Sequence, residues 1–170
     1  MKKKLVLAVA FAAVLTTGTA LASPVHPGGL GIGALWGGSL DNGFHNSAAL
    51  SLKLPNVPIF WGIRLGGFDG NLWVGIQGDY YFLGSQIIPT LSWFLGLGAY
   101  GNIHIGGDNL GIGFGARLPV GLTWQPINLL EVFINLAPQV GGAFWTGGGG
   151  GFDFPHGGFF GAEIGIRLWL

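Results

Sequence analysis

Between residues 30 and 170, apolar side chains recur at every second position in eight stretches, separated by short connections rich in glycine, proline or aspartate. A period of two belongs to an extended strand, whose successive side chains point to opposite faces. Leu30, Ile32, Ala34 and Trp36 oppose Gly31 and Gly33, and Ala48, Leu50, Leu52 and Leu54 oppose Ser47, Ala49, Ser51 and Lys53. Ile59, Trp61, Ile63 and Leu65 alternate with Phe60, Gly62, Arg64 and Gly66. Leu72, Val74, Ile76, Tyr80 and Phe82 alternate with Trp73, Gly75, Gln77, Asp79 and Tyr81. In the fifth stretch Leu91, Trp93, Leu95, Leu97 and Ala99 face away from Ser92, Phe94, Gly96, Gly98 and Tyr100. The sixth is the longest, running without interruption from Leu110 to Trp124 against Gly111, Gly113, Gly115, Arg117, Pro119, Gly121 and Thr123. Leu130, Val132, Ile134 and Leu136 oppose Glu131, Phe133, Asn135 and Ala137, and Phe160 to Leu170 closes the chain against Gly161, Glu163, Gly165 and Arg167.

Charge sorts the two faces. Lys53, Arg64, Arg117, Arg167, Asp79, Glu131 and Glu163 all share the face of the small residues, and none lies on the apolar one. Asp41, Asp69, Asp108 and Asp153 fall one in each of four connections, while the intervening three carry Pro55 and Pro58, Pro89, and Pro126. Alternate connections therefore read as polar loops at one end and tight turns at the other. Outward Trp61, Phe82, Trp93 and Trp124 gather near the turn end, with Trp36 and Phe160 nearer the loop end.

Composition explains what the apolar face meets. Only 8% of the residues are charged and mean hydropathy is +0.56, whereas a water-soluble domain carries about a quarter charged residues. Thirty-five glycines disfavour helix throughout. A chain that faces lipid without spanning helices has one other solution, a closed barrel. The expected fold is all-β: an eight-stranded antiparallel up-and-down transmembrane β-barrel with polar residues inside. A lipocalin-like soluble barrel is the alternative, but it buries its apolar face and exposes charge, the reverse of this pattern.

The first 22 residues read as a cleavable signal peptide. Lys2, Lys3 and Lys4 form a basic start, Leu5 to Leu15 an apolar run too short for a bilayer span, and Ala20-Leu21-Ala22 a cleavage motif before Ser23. The domain is then residues 23–170. Removing three of seven basic residues leaves four against seven acidic ones, a net charge of 4 − 7 = −3, which excludes a nucleic-acid footprint. With no cysteine, disulfides and thiolate metal sites are also excluded.

The runs Ala116-Arg117-Leu118-Pro119-Val120-Gly121-Leu122, Leu130-Glu131-Val132-Phe133, Leu136-Ala137-Pro138 and Gly161-Ala162-Glu163-Ile164-Gly165-Ile166-Arg167 resemble a family of small outer-membrane barrels. That family is similar to the transmembrane domain of OmpA, and its best-known members are spirochaetal. The glycine-rich start from Gly29 to Gly38 also fits, so the resemblance covers most of residues 23–170. It implies a Gram-negative-type envelope protein in the outer membrane, both termini periplasmic, with no assigned chemistry. The end of the chain, with Glu163, Gly165, Leu168 and Leu170, resembles the assembly signal read by the outer-membrane insertion machinery, although that signal more often ends in an aromatic residue.

Eight strands leave an interior just wide enough for side chains, so a general pore is not expected. Buried ions require partners. The register suggests Glu131 beside Arg167, and Arg117 beside Glu163 with Asn135 between, while Lys53, Arg64 and Asp79 form a second group. Pro119 cannot donate to a closed sheet and predicts a local bulge or a bridging water.

Candidate chemistry is sparse. His45 and Ser47 sit two apart on one face, the spacing of the acyl-transfer pair in barrel-type lipid A-modifying deacylases, but both fall on the inward phase rather than facing lipid, and no acid in the same stretch orients the imidazole. His45, His104 and His156 lie in or beside loops without metal-ligand spacing. The segment Gly141 to Gly158, with glycines at 147–151 flanked by Phe144, Trp145, Phe152 and Phe154, reads as a flexible fourth loop able to meet an extracellular ligand. The expectation is a non-enzymatic outer-membrane barrel without cofactor or metal. The partners expected are outer-membrane lipid, the insertion machinery during assembly, and an extracellular ligand at the loops.

Overall fold

In the computed structural model the described residues are 26–39, 45–68, 71–106, 109–146, 150–155 and 160–170. Residues 1–22, read from sequence as a signal peptide, and Asp41, Asp69, Asp108 and His156 lie outside them.

The described residues form an antiparallel sheet of ten strands: β1 (Gly31–Ser39), β2 (His45–Lys53), β3 (Ile59–Phe68), β4 (Asn71–Ile88), β5 (Leu91–Gly106), β6 (Asn109–Arg117), β7 (Val120–Ile127), β8 (Leu130–Thr146), β9 (Gly151–Asp153) and β10 (Phe160–Trp169). Each of β1 to β5 pairs with its sequence neighbour. Strands β6 and β7 lie end to end between β5 and β8, and β10 pairs with both β8 and β1. The pairings thus close a ring of eight staves, with β9 as an added strand on β8. Leu30 and Leu170 exchange both backbone hydrogen bonds, at 3.1 and 2.7 Å, so the first described residues and the C-terminus share the end that carries the tight turns.

Exposure follows the period of two. On β8, Glu131, Phe133, Asn135 and Ala137 are buried, whereas Ile134 and Leu136 are each 52% exposed. On β10, Glu163 and Arg167 are buried between Ile164, Ile166 and Leu168, all close to half exposed. The same sorting holds around the ring, so apolar side chains cover the outside, while polar side chains and a few aromatic ones, among them Phe60, Phe94 and Phe133, fill the inside.

Three features depart from the sequence reading. The sixth stretch divides at Leu118-Pro119, yet the residue pairing with β5 and β8 stays in step on either side, so there is no bulge. Gly96 N donates to Pro119 O at 2.8 Å and Leu118 N to Pro138 O at 2.8 Å, so only the proline's own donation is lost. The fourth stretch does not end at Phe82. A register shift between Tyr81 and Leu83 inverts the phase there, and β4 continues to Ile88 before the Pro89-Thr90 turn. Finally, residues 141–146 belong to strand β8 rather than to the fourth loop. At Gly142 a Cβ would come within 2.8 Å of the Phe152 ring folded back on it by β9, so a side chain there would push that ring aside.

Candidate functional site

Two clusters of buried polar groups occupy the interior. The first centres on Glu163. Its Oε1 accepts from Arg64 Nη2 and from Arg117 Nη1 at 2.8 Å, and its Oε2 accepts from Asn135 Nδ2 at 3.0 Å. Arg64 also donates to Gln77 Oε1 at 2.6 Å and to Ser47 Oγ at 2.7 Å, and Ser47 in turn donates to the Gly37 carbonyl at 3.1 Å. Arg117 reaches Gln77 Oε1, and its Nε lies 3.3 Å from Asp79 Oδ1. Two guanidinium groups thus meet two carboxylates, so the cluster is neutral as a whole. Its members come from β1, β2, β3, β4, β6, β8 and β10, which ties nearly every stave to the same point. Strand β5 contributes by omission: a Cβ on Gly98 would collide with Asp79 Oδ1.

The second cluster lies nearer the turn end and centres on Glu131. Oε2 accepts from Arg167 Nη1 at 2.7 Å and Trp169 Nε1 at 2.8 Å, while Oε1 accepts from Thr123 Oγ1 at 2.7 Å and lies 2.8 Å from His26 Nδ1. Arg167 donates to Ser51 Oγ from Nη2 at 2.9 Å, and its guanidinium sits 4.8 Å from the Phe60 ring centroid and 4.7 Å from that of Phe133. Stacking of this kind suits a delocalised planar cation that cannot spread its charge into water. Phe60, Tyr81 and Phe94 fill the remaining width, with centroids 4.5 and 4.4 Å apart in sequence.

Of the residues expected in an interior network, Arg64, Asp79, Arg117, Asn135 and Glu163 are brought together in the first cluster, and Glu131 and Arg167 in the second. Arg64 and Asp79 therefore do not form a separate group with Lys53. That residue stands at the strand end, donating from Nζ to the Leu54 carbonyl at 2.9 Å, with its ammonium 5.7 Å from the Phe60 ring. Gly165 faces the Phe133 ring, and Leu168 and Leu170 are exposed on the outside at 49% and 73%.

Ser47, Ser51, Gln77, Thr123, Trp169 and His26 complete the clusters without having been anticipated as members. The first five fall on the inward phase, where any polar side chain near an arginine is a candidate partner. His26 precedes β1 and carries no periodic signal. Ser47, read as a partner for His45, is only 3% exposed and bonds Arg64 and the Gly37 carbonyl, while the His45 side chain lies outside what the structure describes. His104 Nε2 lies 3.1 Å from Asn102 Oδ1, to which it can only donate, and its ring stacks on Trp73 at 6.1 Å and meets Trp145 at a tilt at 5.7 Å. Among the described residues no three His, Cys, Asp or Glu side chains group as metal ligands would.

A closed antiparallel ring with ion-paired side chains inside and aliphatic ones outside defines a barrel-like all-β protein of inverted polarity. Residues 30–167 match one family across nearly all of that ring, and the chain belongs to it: the family described as "Protein of unknown function (DUF3996)". No curated protein matches the chain.

Proposed function

We propose that this protein is an integral outer-membrane β-barrel with a side-chain-filled lumen, whose role is structural, anchoring or stabilising the envelope while presenting loops outside. The observation that carries the reading is polarity. Leu65, Ile76, Ile105, Ile134, Leu136 and Phe144 are each more than half exposed, while Asp79, Arg117, Glu131, Glu163 and Arg167 are each buried to 5% or less. Water would penalise that arrangement, whereas hydrocarbon favours it. The turn end, which holds the C-terminus, then faces the periplasm, and the loop end faces outward. Closure of the backbone ring supports the same reading, because an open sheet edge cannot sit in lipid. The ion-paired interior favours a structural role over a general pore, and no reaction is assigned to it.

Fractionation tests this. The protein should stay in the outer-membrane pellet through an alkaline wash and run at different mobilities before and after boiling. Recovery from the soluble periplasmic fraction at one mobility would remove the reading.

A second reading, a loop-borne binding module, has one specific observation behind it. Phe152 and Phe154 are 55% and 61% exposed at the loop end, stacked in series with Phe144 and Phe114. Replacing residues 147–158 by a short turn should abolish attachment of expressing cells to a host-cell layer while leaving the mobility shift intact. Unchanged attachment eliminates this second reading.

A further inference from the structure

The segment ahead of β1 does not leave the ring. His26 turns back into the interior, where its side chain is only 8% exposed. Its imidazole lies 4.7 Å from the Phe60 ring centroid, 5.2 Å from Tyr81 and 5.5 Å from Phe94, with Trp169 at 6.5 Å, and Nδ1 is 2.8 Å from Glu131 Oε1. The reversal is made by Pro27-Gly28-Gly29. Gly29 adopts φ +133°, a conformation that a side chain resists, and a Cβ there would lie 2.7 Å from the Leu170 carbonyl oxygen.

We propose that residues 26–29 are a re-entrant plug that closes the turn end of the lumen, with Glu131 as its catch. Glu131 does not need His26 for its own satisfaction, since Arg167, Trp169 and Thr123 already donate to it. The imidazole is therefore an addition to a finished cluster. It fills the gap left between rings contributed by β3, β4, β5 and β10. No strand pairing holds residues 26–29 in place. Among the described residues one hydrogen bond and ring packing do, which makes the segment a removable stopper rather than a ninth stave.

The chain has no cysteine, so single thiols report accessibility against a blank background. In the folded full-length protein in detergent, His26→Cys should react slowly with a small charged methanethiosulfonate. Gly28→Cys, at an exposed position with open space around it, should react at the rate of a free thiol. Equal rates at the two positions overturn the proposal. The second arm places the thiol inside, as Ser51→Cys, at a site 1% exposed beside Arg167. Adding His26→Ala or Gly29→Val should raise its labelling rate severalfold with unchanged β-sheet circular dichroism, and an unchanged rate in both overturns the plug. These measurements read the folded ring alone, so they stand or fall separately from the membrane assignment tested by fractionation.

Discussion

Glu163 accepts from Arg64, Arg117 and Asn135 at once, whereas Lys53, on the same inward phase, donates to a neighbouring carbonyl and lies over the Phe60 ring. The two should respond very differently to substitution. Glu163→Gln leaves two buried guanidinium groups facing a single carboxylate, a loss of about 3–5 kcal/mol. Lys53→Ala removes a half-exposed contact and should cost less than about 1 kcal/mol. Urea unfolding of the refolded protein in detergent micelles separates the two, and similar midpoints for both variants would contradict this assignment of partners. Period two places Lys53 and Glu163 on the same face but says nothing about height along the strand, which is why the inward set was legible and its grouping was not. Arg117 with Glu163 and Arg167 with Glu131 were legible because they sit on staves adjacent or nearly adjacent in register. Arg64 reaches Glu163 across the lumen, a contact that no neighbouring-strand argument reveals. His26 was invisible for a different reason, since a re-entrant segment has no period.

At the scale of the element, Pro119 shows what a closed sheet tolerates. Gly96 and Pro119 are opposed as a hydrogen-bonded pair, and Gly96 N still donates to Pro119 O. Only the reciprocal donation is missing, while the pairing with β5 and β8 stays in step on either side. Pro119→Ala should therefore leave the register alone and restore one bond, for a gain of at most about 1 kcal/mol. Melting of the variant and amide exchange at residue 119 test this, and a large loss of stability would mean that the proline ring is needed for packing against Gly96. Of the bulge or bridging water expected from the sequence, the bulge does not form, because the two neighbouring staves hold the strand in line. At Phe82 the opposite error occurred. A one-residue irregularity inverts the phase, and an alternation test stops there although the hairpin goes on to Pro89. The fourth loop was overestimated for a related reason: glycine marks loops by composition, yet Gly142 is a strand residue that makes room for Phe152.

For the molecule as a whole, eight alternating stretches and the confinement of charge to one phase were enough to anticipate an all-β ring with its polarity reversed. Function was much less legible, because a filled interior leaves its chemistry in contacts between staves that no motif marks. If the outside faces hydrocarbon, Leu136→Lys should cost about 2–4 kcal/mol in a phospholipid bilayer. The cost should be far smaller in water-rich detergent micelles, where the ammonium can reach solvent. The central claim is that outward positions touch lipid and inward ones do not. The most direct measurement is a nitroxide scan of single-cysteine variants at residues 132 to 138 of β8, in vesicles, comparing collision with dissolved oxygen and with a water-soluble nickel complex. Positions 132, 134 and 136 should be open to oxygen and closed to nickel, with 133, 135 and 137 closed to both. Nickel access at the outward positions would contradict the account.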